Sequence, residues 1–197
     1  MNIRVPNIVT KSLITLFLLL LPISGFAKDI LRTIEGTVTK VSDGDTIHVT
    51  DNLGTKVKVR LYGLDAPETE KSNKRTHIVS KPGQPNGEEA CEALRGKIYR
   101  KHIRLEVTDI DKYRRSVAIV YLNDRNINKE MIAEGWAWAY KQYLDAPYAS
   151  EYLELEEQAR SQRLGLWKQS NPQPPWEFRK EQKAQQKNRK SRRGNRY

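Results

Sequence analysis

Residues 33–62, TIEGTVTKVSDGDTIHVTDNLGTKVKVRLY, alternate apolar and polar side chains between two tight turns, and this pattern decides the fold. Val, Ile and Thr dominate the stretch, and β-branched side chains pack well on a pleated surface. Ile47 and Val49 alternate with Thr46, His48 and Thr50. Val57, Val59 and Leu61 share a face opposite Lys58, Arg60 and Tyr62. Turns at 43–44 and 51–55 separate the runs, which predicts three short strands in a meander. Gly36 interrupts the first run, where a bulge is expected.

Working outward, 69–87 is polar, contains Pro82 and Pro85, and is too long for a turn, so it reads as a functional or mobile loop. EEACEALRGKIYRKHI (88–103) is amphipathic, with Ala90, Cys91, Leu94 and Ile98 at helical spacing. Cys91 is the one cysteine, so no intramolecular disulfide can form, and it reads as a small buried residue. IRLEVTDIDKYRRSVAIVYL (103–122) reads as two more strands around a charged turn. NKEMIAEGWAWAY (128–140) opens on Asn128 as a helix cap, and PYASEYLELEEQARSQRLGLW (147–167) places Tyr148, Tyr152, Leu155 and Ala159 on one helical face. Five strands with helices after the third and behind the fifth predict an α+β fold, a small barrel with about three helices, over residues 28–170.

The two ends differ from this body. Arg4 and Lys11, the apolar run LITLFLLLL (13–21) and the small residues of SGFA form the three-part pattern of a signal peptide over 1–27, with cleavage expected after Ala27. The run is short for a membrane span, which takes about 20 apolar residues. An exported protein, periplasmic or secreted, is therefore expected; an uncleaved anchor is the alternative. At the other end, NPQPPWEF leads into residues 179–196, which carry nine basic side chains and one acid, +8 of the chain's +11. With almost no apolar residues, 171–197 is expected to be a disordered basic tail. Such a tail can hold polyanions through counterion release, or simply solubilise the protein.

Three charged clusters remain. DGDT (43–46) sets Asp43 and Asp45 on a turn at the mouth of a strand, and read alone it is a solvated turn. RLYGLDAPE (60–68) places Arg60 on the polar face of its strand and flanks Ala66 and Pro67 with Asp65 and Glu68. Pro67 fixes the chain there, and two carboxylates beside a carbonyl suit a hard cation such as calcium, although a salt-bridged loop has the same composition. DIDKYRRSVAIVY (109–121) puts Arg114 and Arg115 at a strand entry, as a charged rim or as one half of a guanidinium clamp on a phosphodiester.

In order along the chain, DGDT, R-x4-D-x-PE and DKYxR, followed by EGWAWAYKQY and EEQARSQRLGLW, resemble the staphylococcal nuclease (thermonuclease) family over roughly residues 33–168. The resemblance implies a five-stranded OB-type barrel with three helices, a class that commonly binds nucleic acid on one face. It implies Asp45, Asp65 and the Ala66 carbonyl as calcium ligands, with Ala66 standing where the family often has threonine. Glu68 corresponds to the general base or orienter of the attacking water, and Arg60 and Arg115 to the arginines on the scissile phosphate. Lys112, Tyr113 and Tyr143 fall where the family contacts the nucleotide, while Arg114 replaces a glycine. Asp43 would shape the turn behind Asp45.

These readings converge on an exported, calcium-dependent nuclease acting on DNA and RNA with little sequence specificity, monomeric and without a stable protein partner. The competing reading is a non-catalytic OB-type nucleic-acid-binding module. A binder has little use for metal-binding carboxylates, which repel the phosphates it must hold. An uptake or surface-attachment protein, relying on the tail, is a third reading.

Overall fold

The computed structural model describes residues 29–73 and 75–194. The expected signal peptide, 1–27, lies outside them. The sequence alternation becomes three antiparallel strands, β1 (Arg32–Asp43), β2 (Thr46–Asp51) and β3 (Lys56–Leu61). After the first helix come β4 (His102–Ile110) and β5 (Ser116–Leu122), paired with each other as a hairpin. β4 pairs antiparallel with β1, and β3 pairs parallel with β5, so the five strands close on themselves in the order β3-β2-β1-β4-β5. The expected α+β five-stranded barrel is what the chain forms. Closure leaves no free edge among these strands.

Alternate residues fill the barrel: Val38, Ile47, Val49, Val59, Leu105, Val107, Ala118 and Val120 are all fully buried. Each such side chain contributes about 1.5–3 kcal/mol of hydrophobic stabilisation for the larger residues. β1 bends through two register shifts against β2, at 38–40 and 41–43. Gly36 is not at a bulge; it pairs regularly with Asp51, and a Cβ there would lie 2.4 Å from the Thr50 carbonyl oxygen. Tyr62, placed by alternation opposite Val57, Val59 and Leu61, is buried: its amide donates to the Ala118 carbonyl at 2.8 Å and its ring meets Tyr148 edge-on.

Helix α1 (Gly87–Ile98) lays Ala90, Cys91, Leu94 and Ile98 on the barrel, as their spacing predicts. The stretch before it is not featureless: Lys71–Ser72 pairs with Val79–Lys81 as a short antiparallel ribbon. Helix α2 (Ile127–Ala133) is capped by Asn126, whose side chain accepts from the Lys129 amide at 3.0 Å. Asn128, expected as the cap, turns inward instead. Its Oδ1 accepts the Val120 amide and its Nδ2 donates to the Tyr62 and Ala118 carbonyls, at 2.9–3.1 Å. The end of the parallel seam leaves those backbone groups buried, and the asparagine amide satisfies them. Helix α3 (Ala146–Ser161) packs on α2, with Tyr152 in the main core and Ala159 in a second, smaller cluster with Trp138, Leu166 and Trp167.

The main departure is the tail. Instead of disorder from 171 onward, Pro175–Gly194 form a fourth helix, α4. Its physical basis lies in the sequence. Pro175 begins the helix, Glu177 sits in the first turn, and Lys, Arg, Gln and Ala beyond it are good helix formers. The front of the helix is also docked. Pro175 is buried, and Trp176 stacks on Tyr140 (ring centroids 5.3 Å apart, planes 3° apart) and meets Trp138 edge-on. Those contacts supply the tertiary anchor that a highly charged segment lacks by itself.

Candidate active site

The turn 43–45 brings β1 and β2 against the loop that follows β3. Gly44 is required there by contact, not by its backbone angles. A Cβ on it would stand 2.7 Å from the Ala66 Cβ and 2.9 Å from the Ala90 Cβ, so the turn, the 65–68 loop and α1 can meet only over a bare backbone. Asp45 is thereby carried to the mouth of the barrel and buried. Its Oδ1 accepts the Thr46 hydroxyl at 2.8 Å, and its Oδ2 accepts Arg60 Nη1 at 2.7 Å and the Ala66 amide at 3.3 Å. Burial opposes the charge on Asp45, but Arg60 and these hydrogen bonds outweigh it and hold the carboxyl below the usual carboxylate range. Behind it, burial, with the Asp45 carboxylate adding to it, pushes the Asp43 carboxyl up to about 8, and the hydrogen bond from Asp43 helps hold Asp45 low.

Arg60 projects from the polar face of β3 and also binds Asp65, Nη2 to Oδ1 at 2.6 Å. Asp65 is fully buried, held at the mouth because Leu64–Asp65 pair with Trp138–Ala139. A second guanidinium reaches it, and no sequence reading placed it there. Arg179 of α4 donates Nη2 to Asp65 Oδ2 at 2.6 Å and Nη1 to Asp65 Oδ1 at 3.1 Å, and spans to Glu68 Oε1 at 2.9 Å. Burial pushes the Asp65 carboxyl upward, while the guanidinium groups bonded to it pull the other way. Glu68 itself is fixed through its backbone, whose amide donates to Gln84 Oε1 and whose carbonyl accepts the Gln84 amide, at 3.0 and 2.8 Å.

Arg115 stands at the entry to β5, beside β3 across the parallel seam, where Val59 pairs with Ser116 and Arg60 with Val117. Asp111 orients it, accepting from Nε at 2.7 Å and pairing with Nη2 at 2.6 Å. The Asp111 Oδ1 also accepts the Tyr113 and Arg115 amides, which closes the turn. Arg114 occupies that turn at φ 61°, the left-handed region that explains why glycine suits this position. The remaining Arg115 nitrogen, Nη1, faces the Thr46 hydroxyl at 3.4 Å, so Thr46 links Arg115 to Asp45.

Asp45, Arg60, Asp65, Glu68 and Arg115, spread over seventy positions of sequence, thus gather around one mouth of the barrel. Lys112 and Tyr113 stand on the Arg115 turn, with Lys112 Nζ 5.3 Å over the Tyr113 ring, and Tyr113 is 67% exposed. Tyr143, 59% exposed, is set apart from them; its ring lies 4.9 Å from Tyr140, which in turn stacks on Trp176. Sequence reasoning missed Arg179, Gln84, Thr46 and Asp111. Thr46 and Asp111 stand inside the DGDT and DKYxR motifs, and for Arg179 the readable signal is the proline–proline–tryptophan start at 174–176 that marks a helix beginning.

Among the described residues no three His, Cys, Asp or Glu side chains are arranged as a ready-made metal site. The donor set nevertheless fits a hard divalent ion. Asp45, Asp65 and Glu68 offer only oxygen, two of the three are buried, and the spaces between them are bridged by cationic guanidinium groups, Arg60 in one and Arg179 in the other.

A family model described as staphylococcal nuclease homologue matches residues 58–169. The chain is 37% identical to an uncharacterized endonuclease of Haemophilus influenzae over 146 residues, 74% of this chain and 73% of the relative. It is 36% identical to a micrococcal nuclease of Shigella flexneri over 157 residues, covering 75% of this chain and 82% of that protein. An uncharacterized endonuclease of Escherichia coli O157:H7 matches at 33% over 147 residues, 74% and 85% of the two chains. The family match spans the 60–68 loop and the Arg115 turn, and the likenesses together support a nuclease function, the hydrolysis of phosphodiester bonds in nucleic acid. On its motifs, its barrel and these relatives together, the chain belongs to the staphylococcal nuclease family.

Proposed function

We propose that the protein is an exported, calcium-dependent nuclease that cuts DNA and RNA with little sequence preference. One observation carries the reading: three carboxylates and two arginines from separate elements converge on one exposed mouth of the barrel, with Asp45 and Asp65 too buried to be a solvated rim.

Asp45, Asp65 and the Ala66 carbonyl would hold the calcium ion, with water and substrate oxygens completing its shell. When bound, the ion supplies preorganised positive charge against the phosphate oxygens as they gain electron density. Arg60 is fixed by two carboxylates and keeps N–H groups for a non-bridging oxygen. Arg115 is aimed by Asp111, with Nη1 directed at the same mouth. Glu68 Oε1 accepts the proton of the attacking water, and the Gln84 contacts hold its backbone in place. Lys112 and Tyr113 form the rim on the Arg115 side, where a phosphate and a sugar or base would rest; Tyr143 offers a ring farther round. The fold reads phosphate and stacking surfaces rather than base edges, which supports action on both nucleic acids.

The signal-like segment 1–27 supports export, with residues 28–170 as the nuclease unit and 171–197 as an appended arm. The test is incubation of the full-length mature protein with plasmid DNA and with RNA, with calcium or with chelator. Degradation of both in calcium, and of neither in chelator or with Asp65→Asn, is expected. Full activity in excess chelator would remove calcium from the reading.

A further inference from the structure

We propose that Arg179 is a tethered competitor for Asp65, engaging the carboxylate that the cation on Asp45, Asp65 and the Ala66 carbonyl would use and spanning to Glu68, so that the front of α4 must withdraw before a divalent ion is held there. The inference rests on the reading of Asp65 as a cation ligand and Glu68 as the base. Both Asp65 oxygens accept from Arg179, and one of them also accepts from Arg60. A carboxylate engaged on both oxygens has little left with which to ligate. The same guanidinium takes Glu68 Oε1, so a single side chain covers one ligand of the ion and the proton acceptor together.

The seat for this side chain is built. Gln84, whose Oε1 holds the Glu68 amide, donates its Nε2 to the Gln173 carbonyl at 3.2 Å, so the same side chain ties the approach to α4 to the catalytic loop. Two residues on, Pro175 is buried, and Trp176 stacks on Tyr140 beside the Leu64–Asp65 pairing. Trp176, one helical turn before Arg179, thereby fixes where the guanidinium lands.

The seat is also weak enough to leave. Arg179 remains 32% exposed, and beyond it Lys180, Lys183 and Lys187 are exposed, so withdrawal costs three hydrogen bonds, the burial of Pro175 and the Trp176 contacts with the small Trp138–Trp167 cluster, and leaves the barrel core intact. A monovalent guanidinium against a doubly charged ion loses once the ion is abundant. Until then the occupied fraction raises the apparent dissociation constant in proportion.

The test uses the full mature chain and calcium alone. Calcium affinity is measured by titration calorimetry for wild type, Arg179→Ala, Arg179→Lys and Trp176→Ala, and amide exchange at 177–184 is followed with and without calcium. The expected result is a dissociation constant about tenfold lower or more in Arg179→Ala, a smaller decrease of the same sign in Trp176→Ala, and about tenfold faster exchange of those amides when wild type binds calcium. Trp176→Ala replaces none of the carboxylates or guanidinium groups themselves, so the outcome stands even if Arg179→Ala folds poorly. Unchanged affinity in both variants, or α4 amides equally protected with calcium bound, would overturn the occupancy while leaving the cation site standing. Weaker calcium binding in Arg179→Ala would make Arg179 a support of the site and overturn the proposal too. Failure of wild type and all variants to bind calcium would overturn the cation reading itself, and the occupancy with it.

Discussion

Two arginines meet on Asp65, and they arrive by opposite routes. Arg60 comes from a strand five residues away, locked in the barrel ladder on both sides and bonded to Asp45 as well. Arg179 comes from 114 residues away, on a helix whose front turn alone is docked. The contact is chemically the same guanidinium-on-carboxylate pair at 2.6 Å. What differs is what must move to break it. For Arg60 that is the sheet; for Arg179 it is one helical turn. A hydrogen-bond distance therefore says little about whether a site is permanently or temporarily filled.

Substitutions should separate the two. The largest effect is expected in turnover: Arg60→Lys keeps the charge but loses the fork and should lower kcat by about 10²-fold or more, whereas Arg179→Lys should keep kcat within about twofold of wild type. Steady-state kinetics on one oligonucleotide checks both, and equal losses would erase the distinction. In urea denaturation, Arg60→Ala leaves two buried carboxylates short of a partner and should cost about 3–5 kcal/mol, against about 1 kcal/mol for the partly exposed Arg179→Ala. Gly44→Ala sharpens the view of the barrel side, since its Cβ would press on Ala66 and Ala90. A loss of about 1–3 kcal/mol is expected by the same measurement, and a neutral result would mean that the turn is free to shift. The smallest effect concerns the far part of α4. Changing Lys180, Lys183 and Lys187 to Gln should leave cutting of a short oligonucleotide unaltered. On long DNA at low salt it should raise KM a few-fold, with the salt dependence shallower by up to about 2.7 in log–log slope. Identical salt slopes would show that this stretch does not meet the substrate.

Much of this was legible in residue order. Alternation across 33–62 and 103–122 marks strands because a barrel interior selects every second side chain, and the five strands close as that pattern implies. DGDT, R-x4-D-x-PE and DKYxR mark the site because each is a local turn whose geometry is set by its own residues. What escaped was set by distant partners. Asn128 looks like a cap, yet the buried ends of two strands claim its amide. Gly44 looks like a turn glycine chosen for its angles, yet α1 presses on it. The arm reads as disordered from its average charge, while the placement of 171–194 depends on Pro175, Trp176 and Arg179, three residues that an average over twenty hides.

The parallel seam between β3 and β5 has a consequence for how the protein comes to be active. The meander β1–β3 carries Asp45 and Arg60, and the hairpin β4–β5 carries Arg115; each can form from local contacts alone. Only the long-range pairings, Ile34 with Leu105 and Val59 with Ser116, bring them together, and such pairings form late because chain closure must precede their reward. The newly made chain is thus two harmless halves, and its ability to cut nucleic acid should appear in refolding with the last phase, never with the first gain of β structure.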